Sequence, residues 1–274
     1  MEYKDGLTQE QRLIKLVEAF KADSDEYKNI KTPQSIDGKR QLLRSLMNIR
    51  MPKYMPPEIL QLQDDYLKER IRENGIVELS NINIINIINK SAVSIWQGDI
   101  TRLAVDAIVN AANSQMLGCF VPLHSCIDNC IHTFAGVQLR AECNKQMTEL
   151  RAKYGSSYEQ PTAVPMLTDA YNLPAKKIIH IVGPIVAGSL TPELEKQLAD
   201  CYINCLELCA ENNLRSIAFC CISTGVFHFP PERAAQIAVK TVRQWLELHE
   251  DFIDRVIFNV FSDKDRSIYE QLFK

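Results

Sequence analysis

Three segments in the first ninety residues repeat their apolar positions every three to four residues, which is the spacing of an amphipathic helix. The first follows Thr8, which can cap a helix, and Gln11 three residues later can make the reciprocal hydrogen bond of a capping box. The second stops at Pro52, and the third starts near Pro57 and ends at Gly75. We therefore predict a helical N-terminal extension over residues 1–90. The apolar positions are Leu13, Leu16, Val17, Phe20, Leu42, Leu43, Leu46, Met47, Ile49, Ile59, Leu60, Tyr66, Leu67 and Ile71.

From about Ser91 the pattern changes to short runs rich in β-branched and aromatic residues. These runs are SAVSIWQ, VDAIVN, KKIIHIVG, SIAFCCIS and RVIFNVFS. Helical patterns lie between them, at IDNCIHTFAGVQLRAEC, PELEKQLADCYINCLELCAENN and PERAAQIAVKTVRQWLELH. Alternating strands and helices predict an α/β sandwich over residues 91–274, with helices covering both faces of the sheet. Ligands bind to such folds at the loops beyond the carboxyl ends of the strands.

Charge and hydropathy exclude two classes of partner. The formal net charge of -3 gives no overall positive field that would recruit nucleic acid. No apolar run reaches the roughly 20 residues that cross a bilayer. The N-terminal stretch MEYKDGLTQEQ is acidic and polar and has none of the layout of a signal peptide. We expect a cytoplasmic protein that binds neither nucleic acid nor membranes.

The nine cysteines do not resemble a disulfide framework. Cys201, Cys205 and Cys209 recur at helical spacing and predict a packed apolar face. Cys220 and Cys221 lie in a run that is typical of a buried strand. The remaining cysteines are Cys119, Cys126, Cys130 and Cys143.

Polar and small residues follow three of the predicted strands. Asp99 can accept hydrogen bonds from a ligand amino group or cap the next turn, and on its own the cap is favoured. Asn110 and Asn113 can tie down a loop or bind sugar hydroxyls, and their spacing does not choose between these roles. Backbone N–H groups at a small-residue loop before a helix suit a phosphate or diphosphate. That loop consists of Ser223, Thr224, Gly225, Val226 and Phe227.

Together these segments resemble the macrodomain family. The motifs GDITRLAVDAIVNAANSQMLG, IDNCIHTFAGVQLRAEC, TDAYNLPAKKIIHIVGP and CISTGVFHFPPERAAQIAV occur in the order and approximate spacing seen in macrodomains. The resemblance runs from Ser91 to Lys274, about two thirds of the chain. It implies a three-layer α/β/α sandwich with a mixed six- or seven-stranded sheet and an ADP-ribose pocket.

The resemblance also implies a role for each matching residue. Asp99 would bind the adenine amino group, and Ile100 would line the same subsite. The loop from Ser223 to Phe227 would wrap the diphosphate, and Asn113 would face the distal ribose.

Two further residues match positions beside the distal ribose. Asp128 falls where the hydrolytic, MacroD-like members carry a catalytic carboxylate. His132, one helical turn later, matches a further position near that ribose.

One loop departs from the MacroD-like pattern. Those members carry a run of glycines where this chain has GCFVPLHSC, and so the sequence resembles the zinc-containing microbial subgroup, which also has a helical N-terminal extension. In that subgroup Cys119, His124 and Cys126 would be the metal ligands. Three Cys and His ligands with an open fourth position are typical of catalytic zinc. Alternatively, the cysteines are buried fillers and His124 makes a hydrogen bond, or Cys130 completes a four-ligand structural site, although we expect Cys130 to face the core.

The resemblance implies a zinc-dependent hydrolase that removes mono-ADP-ribose from modified protein side chains. Asp128 would act as general base or electrostatic partner, and Asn113 would orient the ribose. Two alternatives are a non-catalytic reader of ADP-ribose and an enzyme that hydrolyses O-acyl-ADP-ribose. The subgroup also suggests partnership with a sirtuin-type ADP-ribosyltransferase and a modified lipoyl-carrier protein, which no residue in the sequence proves.

Overall fold

The computed structural model describes residues 6–274; the first five residues of the polar N-terminal stretch lie outside this range. Three helices form where the apolar pattern predicts them, namely α1 (Gln9–Ala22), α2 (Ile36–Ile49) and α3 (Pro57–Asn74). The Thr8 hydroxyl accepts a hydrogen bond from the Gln11 backbone amide at 3.2 Å. The Gln11 side-chain oxygen accepts one from the Thr8 backbone amide at 2.8 Å. This reciprocal cap satisfies two N–H groups that the helix cannot satisfy by itself.

Seven strands form one mixed sheet. The chain contains β1 (Val77–Glu78), β2 (Asn86–Ile88), β3 (Ser91–Gln97), β4 (Leu103–Ala104), β5 (Ala107–Ala112), β6 (Met166–Asp169), β7 (Lys177–Val182), β8 (Ser216–Phe219) and β9 (Arg255–Val260). The sheet order is β2-β3-β9-β8-β5-β7-β6, in which only the outer strands β2 and β6 are antiparallel to their neighbours. Strands β1 and β4 form a separate parallel pair.

Five helices follow along the chain: α4 (Ile127–Ala135), α5 (Val137–Tyr154), α6 (Pro192–Glu211), α7 (Pro231–Leu248) and α8 (Asp263–Leu272). Packed around the mixed sheet, they give the predicted α/β/α sandwich. One helical prediction is wrong: Gly136, with φ of 98°, separates α4 from α5, so Cys130 and Cys143 lie on different helices. Within residues 6–274, no helix is both long and apolar enough to span a bilayer.

The apolar side chains form two cores. The larger surrounds the sheet and includes Cys201, Cys205 and Cys209, which are fully buried as predicted. The smaller lies among α1, α2 and α3. Ile71 of α3 belongs to the larger core, so the extension packs onto the sandwich. A domain boundary at residue 90 stays a prediction, and the sheet itself takes in residues from Asn86 onward.

The sheet topology gathers the candidate loops at one edge. Strands β3, β9, β8, β5 and β7 are parallel, so their carboxyl ends all meet there. Asp99 follows β3, Asn113 follows β5 and Ser223 follows β8. This is the edge at which open α/β sheets bind their ligands.

Candidate active site

The loop between β5 and α4 brings three metal-ligating side chains together. The ligand atoms of Cys119, His124 and Cys126 all lie within 4.8 Å of one another, and all three residues are half-buried. The Cys119 Sγ is 3.6 Å from the His124 Nδ1. Zinc bonds of about 2.3 Å to sulfur and about 2.0–2.1 Å to nitrogen place two tetrahedral ligands about 3.6 Å apart. The donor set and its spacing therefore fit a zinc ion.

Cys126 also caps helix α4. Its Sγ accepts a hydrogen bond from the Asn129 amide at 3.4 Å, in the way that a serine would at this position. Burial raises the pKa of Cys126 to about 12, so the thiol is protonated in the metal-free chain. A metal that binds here has to displace this proton.

Cys130 does not belong to this group. It is half-buried between α4 and α2, where its Sγ is 3.6 Å from the Arg44 guanidinium. The group of donors that could share one metal ion contains the other three residues only. The described chain therefore favours a three-ligand site with one open position over a closed four-ligand site.

Asp128 lies in the first turn of α4, two residues beyond the last metal donor. Only 4% of its surface is exposed, and its Oδ1 accepts a hydrogen bond of 2.8 Å from the Asn110 side chain. The His132 Nε2 is 3.5 Å from the same oxygen. Burial raises the pKa of Asp128 to about 6, although the bond from Asn110 opposes this shift. The carboxyl group can therefore exchange a proton near neutral pH.

His132 and His180 lie in the core beneath the loop. The Asn110 side chain and the Thr168 hydroxyl each lie 3.0 Å from one ring nitrogen of His180, so both nitrogens of this core histidine have a partner. Burial lowers the pKa of His180 to about 3 and also lowers that of His132, so both rings are neutral. With Cys143 they form a second group of close donors, entirely buried, which we interpret as core packing. The contact of His132 with a ribose stays a prediction.

Asp99 and Asn113 both bond to their own loops. The Asp99 Oδ1 accepts from the amide of Thr101 at 3.0 Å and from its hydroxyl at 2.7 Å, which confirms the capping role. The Asn113 side chain donates to the Gly118 carbonyl at 3.3 Å. Ile100 is buried beside the Asp99 cap. The adenine and ribose contacts of these residues stay predictions.

The loop after β8 presents exposed backbone groups at the carboxyl edge of the sheet. Among residues 6–274, the amides of Gly225 and Val226 donate to no backbone carbonyl in the turns and loops. Ser223 adopts a left-handed φ of 65°, and its buried hydroxyl has no hydrogen-bond partner. The turn is closed by a bond of 3.0 Å from the Phe229 amide to the Ser223 carbonyl. Exposed backbone N–H groups in a loop of this kind suit an anion.

Gly183, at the end of β7, packs directly against this loop. A Cβ atom at this position would lie 2.1 Å from the Ser223 Oγ and 2.8 Å from the Ile222 side chain. We expect Gly183→Ala to displace the loop and to lower the free energy of unfolding by about 1–3 kcal/mol. Urea denaturation measures this change. Gly188→Ala, where the new methyl group meets nothing within 4 Å, is the matched control and should stay within about 0.5 kcal/mol. Equal losses for the two variants would contradict the packing argument.

Four polar residues that the sequence did not single out hold the metal loop. They are Arg44, Asn48, Asn129 and Arg140, and each bonds to a backbone group between residues 117 and 124. Arg44 and Asn48 lie on α2 and contact the loop from 75 to 80 positions away in the sequence, so no local pattern indicates their role. Only the structure reveals this set.

Comparison with known proteins assigns the family. The model of the Macro domain family matches residues 109–238. A Treponema medium protein named "Protein-ADP-ribose hydrolase" is 47% identical over 266 residues, covering 97% of this chain and 99% of that protein. This chain belongs to the macrodomain family.

Two other macrodomain comparisons bear on function. The Trypanosoma brucei macrodomain in complex with ADP-ribose matches with a TM-score of 0.64 and 28% identity, covering 84% of this macrodomain chain and 95% of that one. A Fusarium oxysporum f. sp. cubense protein named "Probable bifunctional ADP-ribose hydrolase/ADP-ribosyltransferase" is 39% identical over 272 residues, covering 93% of this chain and 45% of its own length. The predicted family and fold are thus confirmed.

Proposed function

We propose that this macrodomain removes mono-ADP-ribose from modified protein side chains and that it uses zinc to do so. The observation that carries the proposal is the Cys119–His124–Cys126 donor group, which lies two residues before Asp128 at the carboxyl edge of the sheet. The hydrolase name of the Treponema relative and the ADP-ribose complex of the Trypanosoma macrodomain support the substrate class.

The donor group would supply three protein ligands to a zinc ion, and a further ligand would come from water or substrate. Bound there, a zinc ion would supply Lewis-acid catalysis beside the distal ribose. Two thiolates and one imidazole are soft and intermediate donors, which favours zinc over magnesium or calcium. The half-buried loop limits the access of bulk solvent and so strengthens electrostatic interactions within the site.

The rest of the pocket binds and positions the substrate. The exposed amides of Gly225 and Val226 suit the diphosphate, with Ser223, Thr224 and Phe227 completing the loop. In this proposal Asp99 and Ile100 hold the adenine. Binding energy from these remote groups fixes the scissile bond against the catalytic residues.

Asp128 acts as the general base, and Asn113 orients the distal ribose. The bond from Asn110 fixes the Oδ1 of the carboxylate, so the side chain keeps one orientation in the buried site. Asp128 would take a proton from the water whose oxygen forms a bond to the distal ribose, while the bond from that ribose to the protein side chain breaks and the side chain leaves. His132, buried beneath, lies 3.5 Å from the Asp128 Oδ1, and we keep the position near the ribose that the family resemblance gives it.

The biological partners belong to the same proposal. A hydrolase needs a transferase that supplies its substrate, and the name of the longer Fusarium relative joins both activities in one chain. We retain the sirtuin-type ADP-ribosyltransferase and the modified lipoyl-carrier protein as proposed partners, and the cytoplasm as the proposed location.

Two assays on one preparation test the proposed reaction. We expect the zinc-loaded chain to release free ADP-ribose from a mono-ADP-ribosylated protein, followed by mass spectrometry, and to bind ADP-ribose in calorimetry. Binding without release would instead identify a reader. Turnover of O-acyl-ADP-ribose alone, with no release from protein, would identify the metabolite hydrolase.

A further inference from the structure

The metal loop has an unusual backbone and few backbone hydrogen bonds of its own. Met116, Gly118 and Leu123 adopt left-handed conformations, with φ of 60°, 79° and 58°. Non-glycine residues seldom adopt this conformation, and it persists only where the surroundings impose it. Between residues 117 and 126, the one backbone bond made within the loop joins the His124 amide to the Val121 carbonyl. Side chains from outside the loop must therefore hold its shape.

Asn129, on α4, makes two side-chain contacts with the loop and a third through its backbone amide. Its side-chain Nδ2 donates to the carbonyls of Cys119 at 3.3 Å and Val121 at 3.0 Å. Its backbone amide donates to the Cys126 Sγ at 3.4 Å. The residue is fully buried, so these bonds have no competition from water.

Arg44, on helix α2 of the N-terminal extension, fixes the orientation of Asn129. Its Nη2 donates to the Asn129 Oδ1 at 2.8 Å, and its Nε donates to the same oxygen at 3.3 Å. A guanidinium group cannot accept a hydrogen bond, so the amide oxygen must face it and the Nδ2 must face the loop. The Arg44 Nη2 also donates to the His124 carbonyl at 2.8 Å.

Each of the three metal donors is thus tied to the same pair of residues. Asn129 donates hydrogen bonds to the carbonyl of Cys119 and to the thiol of Cys126. Arg44 donates one to the carbonyl of His124. Groups that orient metal ligands in this way set the affinity of the site, since a loop already in the bound shape loses less entropy on binding.

We propose that Arg44 is a positioning residue for the metal site and that the N-terminal extension acts through it to shape the loop before metal binds. This inference rests on the proposed function only in taking Cys119, His124 and Cys126 as zinc ligands. It assigns the extension a role at the site, because α2 carries Arg44 and also Asn48, whose side chain accepts from the Leu123 amide at 3.1 Å.

The test compares Arg44→Met with Arg40→Met. Arg40 lies one turn earlier on α2 and pairs with Asp37 and Glu73 rather than with the loop, so its loss controls for the removal of a helix arginine. Zinc affinity is measured on stripped protein by competition with a chromophoric chelator. We expect Arg44→Met to weaken zinc binding about 10–100-fold and Arg40→Met to leave it within about twofold. Equal affinity of Arg44→Met and the unmodified chain would overturn the proposal.

A second readout needs no metal. In the zinc-free protein, the amides of residues 119–126 should exchange with deuterium faster in Arg44→Met than in the unmodified chain, while amides of β5 should not change. Unchanged exchange in the loop would also overturn the proposal. If Arg44→Met does not fold, Arg44→Lys takes its place. The lysine ammonium group keeps the charge but cannot reproduce the planar set of hydrogen-bond donors of the guanidinium group. If Arg44→Lys had the zinc affinity and the loop exchange rates of the unmodified chain, that result would contradict the proposal.

The failure of each proposal has its own signature. An unmodified chain that binds no zinc would overturn the zinc mechanism and this inference together. An unmodified chain that binds zinc and releases ADP-ribose, beside an Arg44→Met variant with the same zinc affinity and loop exchange, would overturn the inference alone.

Discussion

Cys119→Ser should reduce the release of ADP-ribose from modified protein at least about 1000-fold. A metal that acts as Lewis acid contributes several kcal/mol to transition-state stabilisation, and each 1.36 kcal/mol corresponds to a factor of ten in rate. The variant loses one of three ligands in a group with 3.6 Å between its sulfur and nitrogen donors. Single-turnover release is the measurement. Affinity for ADP-ribose, measured by calorimetry, should stay within a few-fold, because the loop after β8 is unchanged.

Cys130→Ser is the matched control for this loss. It removes a half-buried thiol from helix α4, next to the metal loop, and the new hydroxyl can still accept from Arg44. Release and zinc content should therefore match the unmodified chain. If Cys130→Ser were as inactive as Cys119→Ser, the site would have four protein ligands. Full activity of Cys119→Ser after exhaustive chelation would exclude the zinc mechanism.

Asp128→Asn should reduce ADP-ribose release by about 10²–10⁴-fold, which is the usual contribution of a general base. The amide is nearly isosteric with the carboxyl, and its oxygen can still accept the 2.8 Å bond from Asn110. The variant should therefore keep its fold, its zinc content and its affinity for ADP-ribose while the rate constant falls. Single-turnover kinetics with metal analysis of the same sample separates these quantities.

Asp169→Asn provides the comparison for Asp128→Asn. Asp169 is an exposed carboxylate that pairs with Lys177 at 2.6 Å, at the end of the sheet opposite the candidate site. Its replacement removes a charge of the same sign from the surface, and release should be unaffected. If Asp128→Asn kept the activity of Asp169→Asn, the carboxylate would have no part in the chemistry, and a reader with an incidental metal site would fit better.

Long periodic segments were predictable, and short or interrupted ones were not. Strand β3 and helices α3 and α6 occur close to where their patterns predict, because seven or more residues establish a period. Strands β1, β2, β4 and β6 have two to four residues each and give no periodic signal. The break at Gly136 was missed because the apolar pattern continues across it, while the positive φ that ends α4 shows only in three dimensions.

Some residues of the candidate site could also be predicted from the sequence, and others could not. The metal donors lie within eight positions of one another, so their residue types and spacing were visible in the sequence. The contacts that hold their loop were not, since Arg44 and Asn129 are separated by 85 positions and no sequence pattern pairs them. Tertiary packing of the extension creates that contact, and a local pattern carries no information about it.

Helix α4 is capped by a cysteine and carries an aspartate in its first turn, and this arrangement has an electrostatic consequence. The aligned peptide dipoles of a helix place a partial positive charge at its N-terminus, which stabilises anions there. Cys126 and Asp128 both lie in this field, so the same partial positive charge would stabilise a metal-bound thiolate and a catalytic carboxylate. The two anions also share one rigid element. Any shift of α4 along its axis therefore displaces metal ligand and base together, and keeps the distance between them fixed.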